Sequence, residues 1–184
     1  MKLGSGKEWA AVFIDGGYIR GILRDYFKEV RIDYLKLSEM LCEGYERFRT
    51  YYYDCMPFQS NPPTKEERER YSKADKFIAA LRRFPRFEIR LGKLKKGKRG
   101  FRQKGVDVSL SVDLVRLAWS GTIKKAIIIG GDHDYVPAVK SVKEAHVLVK
   151  LVYHPRHVSS ELRDLCDERL KIDEEFINKV KLYP

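Results

Sequence analysis

The sequence has 184 residues, of which 43% are hydrophobic and 34% charged, and its formal net charge is +11. This length and balance fit one domain with a sizeable core and exclude a largely disordered chain. No run approaches the roughly 18 apolar residues of a membrane span, and the three cysteines form no C-x-x-C pair, which argues against a disulfide framework or a structural zinc site.

Strand and helix patterns alternate along most of the chain. Short apolar runs indicate strands, and helical spacing or a capping residue indicates helices. In chain order the predicted elements are a strand over 10–14, helices over 18–27 and 33–47, a strand over 49–55, a helix over 64–83, a strand over 87–91, a helix over 106–119, a strand over 126–129, a helix over 136–143, a strand over 146–153, a helix from 159 to 166 or 169, and a last helix from about 173. This alternation predicts a three-layer α/β/α sandwich with a central, mainly parallel sheet.

The sequence shows no internal repeat and no linker, so a single domain over residues 1–184 is the simplest organisation. Residues 92–105 are basic, contain glycine and lack periodicity, which predicts a hairpin arm or a flexible loop. The N-terminal residues contain no apolar segment, so we expect no secretory signal and a cytoplasmic location. The oligomeric state is left open, a homodimer included.

Acidic residues follow two of the predicted strands at their carboxyl ends. Asp15 comes directly after the strand over 10–14, and Asp132 and Asp134 follow the strand over 126–129. Ligands of open α/β sheets bind beyond the carboxyl ends of the strands, so we expect these three carboxylates to meet at one edge. In an extended chain, positions 132 and 134 would point the same way because side chains alternate.

Two further acids lie on the predicted helix over 106–119. Asp107 is at its start, and Asp113 is six residues further on, roughly 120° around the helix and about 9 Å along it. One small ion cannot readily bind both. We therefore assign Asp107 to the acidic centre and Asp113 to a supporting or second-metal role.

Each of these acids, taken alone, has a simpler interpretation as a helix cap or a turn residue. Asp15, Asp107 and the pair Asp132 and Asp134 all stand next to predicted helices. Together they favour a metal site, because clustered carboxylates repel one another unless cations neutralise them. Hard oxygen ligands suit Mg²⁺ or Mn²⁺, which can activate water for the hydrolysis of a phosphodiester.

The segments around these acids resemble the NYN domain family of PIN-like nucleases. They are 12–16 (VFIDG), 51–54 (YYYD), 104–108 (KGVDV), 113–115 (DLV) and 129–137 (IGGDHDYVP). The resemblance spans about residues 9–180 and implies a PIN-like fold. It also implies a ribonuclease, which we expect to be an endoribonuclease, dependent on Mg²⁺ or Mn²⁺. The acidic ligands that it implies are Asp15, Asp107, Asp132 and Asp134.

The basic stretch offers a contact for nucleic acid. An excess of positive charge favours a polyanion, either nucleic acid or an anionic membrane surface, and a basic surface would bring that polyanion to the acidic centre. The resemblance implies that the polyanion is RNA. Lysines and arginines would contact phosphates and Phe101 would stack on an unpaired base, whereas the simpler interpretation is a solvated loop without a partner. The residues assigned to the contact are Lys95, Lys96, Lys98, Arg99, Phe101, Arg102 and Lys104.

Two other classes of function remain open. One is a catalytically silent RNA-binding module with the same fold. The other is a phosphoryl-transfer enzyme or a receiver-like switch, which also places acids at strand ends. A phosphatase of the haloacid dehalogenase type requires an Asp two residues after Asp15, and Gly17 stands there instead.

Overall fold

Seven strands form one central sheet in the part of the chain that the computed structural model describes. That part is residues 6–97 and 100–183, with side chains described at all of these positions except 94–97 and 100–104. The strands are β1 Trp9–Asp15, β2 Glu46–Cys55, β3 Phe87–Gly97, β4 Gly100–Lys104, β5 Lys125–Ile129, β6 Leu148–Tyr153 and β7 Glu168–Lys171. The order across the sheet is β4-β3-β2-β1-β5-β6-β7.

Helices cover both faces of this sheet. They are α1 Gly16–Tyr26, α2 Tyr34–Leu41, α3 Lys65–Arg82, α4 Val106–Trp119, α5 Val136–Glu144, α6 Ser160–Leu165 and α7 Glu174–Val180, with a 3₁₀ turn, His133–Tyr135, before α5. All neighbouring strands pair in parallel except β3 and β4, which are antiparallel. The predicted three-layer α/β/α sandwich with a mainly parallel sheet is confirmed. None of the helices within the described residues is long and apolar enough to cross a membrane.

The central strand β1 shows why the fold has three layers. Its Ala11 and Phe13 pack with α4, α5 and α6, whereas Val12 and Ile14 pack on the other face with α1, α2, α3 and α7. The sequence of a strand that is covered on both faces is a continuous apolar run, because neither set of alternating side chains contacts water. Each large apolar side chain buried in this way contributes roughly 1.5–3 kcal/mol.

Parallel pairing brings the carboxyl ends of the central strands to one edge of the sheet. Ile14 of β1 lies beside Ile129 of β5, and Asp15 lies beside Tyr53 of β2. The segments that follow β1 and β5 therefore leave the sheet next to each other. This edge is where the predicted acidic residues are found.

Two boundaries differ most from the sequence-based expectation, and strand β7 was not predicted, since the helix from residue 159 was allowed to reach residue 169 but ends at Leu165. Helix α2 ends at Leu41, not near residue 47, because Gly44 has a φ of 85° and turns the chain into β2. Strand β3 continues to Gly97 and pairs with β4, so the backbone of the basic stretch forms a hairpin. The pairing of β3 with β2 stops at Gly92, and the hairpin therefore extends from the carboxyl edge of the sheet.

Candidate metal centre

Asp15 is both a helix cap and a residue of the candidate site. It ends β1, and its Oδ1 accepts a hydrogen bond of 2.9 Å from the Tyr18 amide in the first turn of α1. The turn into the helix is tight at Gly16, where a Cβ atom would lie 2.5 Å from the Tyr52 hydroxyl. The capping bond uses only Oδ1, so the second carboxylate oxygen is left for another partner.

That second oxygen meets Asp107 through one tyrosine. The Tyr135 hydroxyl lies 2.8 Å from Asp15 Oδ2 and 3.1 Å from Asp107 Oδ1. Asp107 stands in the first turn of α4, after Gly105 with a φ of 91°, so it does not cap the helix. Two carboxylates far apart in the sequence are therefore held on a single hydroxyl, which has only one proton to donate.

The electrostatics of this pair are unfavourable without a cation. Burial raises the pKa of the Asp15 carboxyl and the charge of Asp107 raises it further, against the hydrogen bonds from Tyr18 and Tyr135. Burial and the same two carboxylates raise the pKa of Tyr135 far above its ordinary value, which keeps its hydroxyl a donor. Among the described side chains, no lysine or arginine pairs with Asp15 or Asp107, whereas Asp54 nearby is paired with Arg20.

The two carboxylates open into a cleft of about 690 Å³ at the carboxyl edge of the sheet. Asp132 lines the same cleft, where it caps the 3₁₀ turn by accepting a hydrogen bond of 3.0 Å from the Asp134 amide. The other lining residues are Gly17, Tyr18, Gly131, His133, His157, Val158 and Ser159. The structure thus brings three of the predicted acids to one cavity.

Asp134 is placed differently from the expectation. The residues after Asp132 form a 3₁₀ turn and not an extended segment, so the alternation of side chains does not apply. Asp134 is exposed and is not among the residues that line the cleft, whereas His133, expected to point away, does line it. The rule of alternation, on which the common direction of positions 132 and 134 was inferred, therefore has no support in this segment.

Asp113 belongs to another network. Its carboxylate accepts hydrogen bonds from the Tyr53 hydroxyl at 3.1 Å, from Arg90 at 3.3 Å and from Arg116 at 3.1 Å. It is buried, and two guanidinium groups already neutralise it. This environment fits a structural ion pair between α4 and β3, so we leave Asp113 out of the proposed metal site.

Part of the wall of the cleft comes from the segment between β6 and α6, which the sequence did not single out as part of the site. The Tyr18 hydroxyl donates to the His157 carbonyl and accepts from the His154 amide, both at 2.8 Å. A Cβ atom at Gly131 would lie 2.1 Å from the same carbonyl oxygen, so only glycine permits this approach. The position of this segment after the carboxyl end of β6 was the available signal.

The residues present fit a hydrated magnesium-type ion. Within the described residues, no three side chains of the His, Cys, Asp or Glu type lie close enough to hold a metal together. The oxygens of Asp15 and Asp107 can be at most about 6 Å apart, since both are within hydrogen-bond distance of one atom. Mg²⁺ commonly keeps several waters and uses one or two carboxylates, which matches this pair.

The buried pair has a consequence for stability. Asp15→Asn is expected to stabilise the metal-free protein at neutral pH by about 1 kcal/mol, because it removes one of two facing charges. The asparagine oxygen can still accept from Tyr18, and its NH₂ can donate to the Tyr135 hydroxyl, which then donates to Asp107 alone.

The pH dependence of the stability gained by Asp15→Asn follows from the direction in which the pKa of Asp15 is shifted. The folded-state pKa of Asp15 is raised, so the wild type loses stability as the pH rises from about 4 through that pKa. The gain from Asp15→Asn should therefore be larger at about pH 7 than at about pH 4, as measured by urea unfolding in the presence of a chelator. A gain that does not grow with pH would show that Asp15 carries no such penalty.

Comparison with known proteins shows the family and supports the fold. A family model described as NYN domain matches residues 10–173, while no curated protein matches the chain. The crystal structure of a protein of unknown function from Vibrio parahaemolyticus RIMD 2210633 is similar, with a TM-score of 0.74, 21% identity, and coverage of 98% of this chain and 99% of that one. At this identity the likeness shows the fold alone. The family match includes β1, α4 and β5 with the acids that follow or begin them, and the chain belongs to the NYN domain family, whose fold is generally that of PIN-like nucleases.

Proposed function

We propose that the protein is a divalent-metal-dependent nuclease, an endoribonuclease that hydrolyses RNA phosphodiester bonds with Mg²⁺ or Mn²⁺. The observation that carries the proposal is the convergence of Asp15 and Asp107 on the Tyr135 hydroxyl, in a cleft that Asp132 also lines. In a chain of net charge +11, an acidic pair without a cationic partner among the described side chains is a costly arrangement. A bound cation would remove that cost.

The roles of the acids follow from their positions. Asp15 and Asp107 would hold the ion, and Asp132, which lines the same cleft, would bind it directly or through a water molecule. Asp134, exposed beside Asp132, would act only through water at the rim. A divalent ion held there would lower the pKa of a bound water and stabilise the charge that develops on the phosphodiester.

RNA is proposed as the substrate because the chain carries a large excess of positive charge. The positive excess of the chain would draw a polyanion toward the protein, and the hairpin of β3 and β4 extends from the same edge of the sheet as the cleft. A strand of RNA could then contact the hairpin while one phosphate enters the acidic cleft. The cytoplasm, where RNA is abundant, is the proposed location.

The alternative is the catalytically silent RNA-binding module. Purified protein freed of metal with a chelator is expected to cleave a labelled single-stranded RNA only after Mg²⁺ or Mn²⁺ is added, and Zn²⁺ should not be required. Internal fragments in a time course would indicate endonucleolytic cleavage. Binding of RNA without cleavage at saturating Mn²⁺ would exclude the nuclease and favour the binding module.

A further inference from the structure

Tyr135 is held rigidly between the two carboxylates. Its ring is fully buried in the core that α4 and α5 form with the sheet, among residues such as Leu110 and Val139. A Cβ atom at Gly130 would already lie 3.0 Å from the ring, so the backbone beside it is in close contact. The hydroxyl therefore has a fixed position between the two carboxylates.

We propose that Tyr135 is a positioning residue for the metal, which sets the affinity of the site by holding the carboxylates of Asp15 and Asp107 together before the ion binds. The inference rests on the proposed function. Each carboxylate has about four lone-pair sites, and the single proton of the hydroxyl is shared between one site on each carboxylate. Asp15 is fixed a second time by the Tyr18 amide, and the remaining lone pairs are available to an ion.

Without the Tyr135 hydroxyl, the carboxylates of Asp15 and Asp107 would no longer be held close together. Two facing carboxylates repel each other, and no lysine or arginine among the described side chains offsets that repulsion at Asp15 or Asp107. The side chains would rotate apart, and an ion would have to bring them back at a cost in affinity. Partners of this kind, which orient metal ligands without touching the metal, typically change affinity by 10–100-fold when they are removed.

A second tyrosine provides a matched control for a merely structural role. Tyr53 is also buried, and its hydroxyl donates to a carboxylate at 3.1 Å, but that carboxylate belongs to Asp113. Asp113 is already paired with Arg90 and Arg116. Tyr53→Phe thus removes the same chemical group from a similar environment outside the cleft.

The test compares Mn²⁺ titration calorimetry and thermal unfolding for the wild type, Tyr135→Phe and Tyr53→Phe. Phenylalanine keeps the ring on which the core packs, and circular dichroism verifies the fold of each variant. We expect Tyr135→Phe to bind Mn²⁺ about 10–100-fold more weakly, and Tyr53→Phe to bind as the wild type does. Saturating Mn²⁺ should return Tyr135→Phe to most of the wild-type cleavage rate, since the ligands themselves remain.

Three outcomes would overturn the inference, and they can be told apart. Equal affinity of the wild type and Tyr135→Phe would exclude a positioning role while the metal site stands. An equal loss in Tyr53→Phe would show that the effect follows general destabilisation. If the wild type binds no Mn²⁺ at neutral pH, even with RNA present, the proposed function fails and the role of Tyr135 fails with it.

Discussion

Asp107→Asn is expected to lower the rate of metal-dependent RNA cleavage by more than about 100-fold while the fold persists. Removal of an outer partner of a metal ligand already costs 10–100-fold, and the loss of a ligand should cost more. The asparagine oxygen can still accept from the Tyr135 hydroxyl at the position of Asp107 Oδ1, so the packing around the cleft is retained. The measurement is single-turnover cleavage at saturating Mn²⁺, with unfolding curves for the same sample.

Asp113→Asn should lower the stability of the fold and leave cleavage intact, and it serves as the control on the same helix. Asp113 joins α4 to β3 through Arg90, so its neutralisation is expected to destabilise the fold by about 1–2 kcal/mol, a modest loss because both arginine partners are partly exposed. Cleavage at a temperature where the variant is folded should continue. Full activity in Asp107→Asn, or lost activity in folded Asp113→Asn, would reverse our assignment of these two acids.

Most secondary structure could be predicted because local signals and tertiary packing agree. Ser159 caps α6, Asp33 caps α2, and Thr64 with Glu67 forms the predicted capping box of α3. The end of α2 was missed because its apolar spacing continues past the point where Gly44 turns the chain. The hairpin was not distinguished from a loop, since lysine and glycine have little strand propensity and residues 93–97 pair with 100–104 beyond the point where β3 leaves β2.

The candidate site was predictable to the extent that it follows from topology. The carboxyl ends of parallel strands meet at one edge, which was enough to place Asp15 and Asp132 in one cleft. The bridging role of Tyr135 depends on a side chain from one segment reaching two others, and no local pattern encodes such a contact. The position of Asp134 depended on a 3₁₀ turn that a rule based on extended chain cannot anticipate.

The basic hairpin is expected to contribute affinity for RNA and not chemistry. The side chains proposed for this contact lie outside those that the structure describes, but the backbone of β3 and β4 extends from the edge of the sheet that carries the cleft. Lysine and arginine contacts with phosphate release counterions, so binding weakens as salt is added. The proposed cleavage at the cleft would depend on the carboxylates, which these side chains do not supply.

Replacement of four basic residues of the hairpin by glutamine should therefore weaken RNA binding and flatten its dependence on salt. The four are Lys95, Lys96, Lys98 and Arg99. If all four contact phosphates of single-stranded RNA, the slope of log K against log salt should become shallower by roughly 3, or about 0.7 per contact. Turnover at saturating RNA should change little, which separates affinity from catalysis.

A control with the same change in charge makes this result specific to the hairpin. Four exposed basic residues between the middle of α3 and the residue that follows it can be replaced in the same way: Lys73, Lys76, Arg82 and Arg83. If the net charge alone attracts RNA, both sets of replacements will flatten the salt dependence equally. If the hairpin contacts the phosphates, only the hairpin replacements will flatten the salt dependence, because direct contacts are what displace counterions from the RNA strand.

An unchanged slope of log K against log salt in the hairpin variant would place the bound RNA on another surface. The cleft would then have to receive the RNA from the side of His133 and His157.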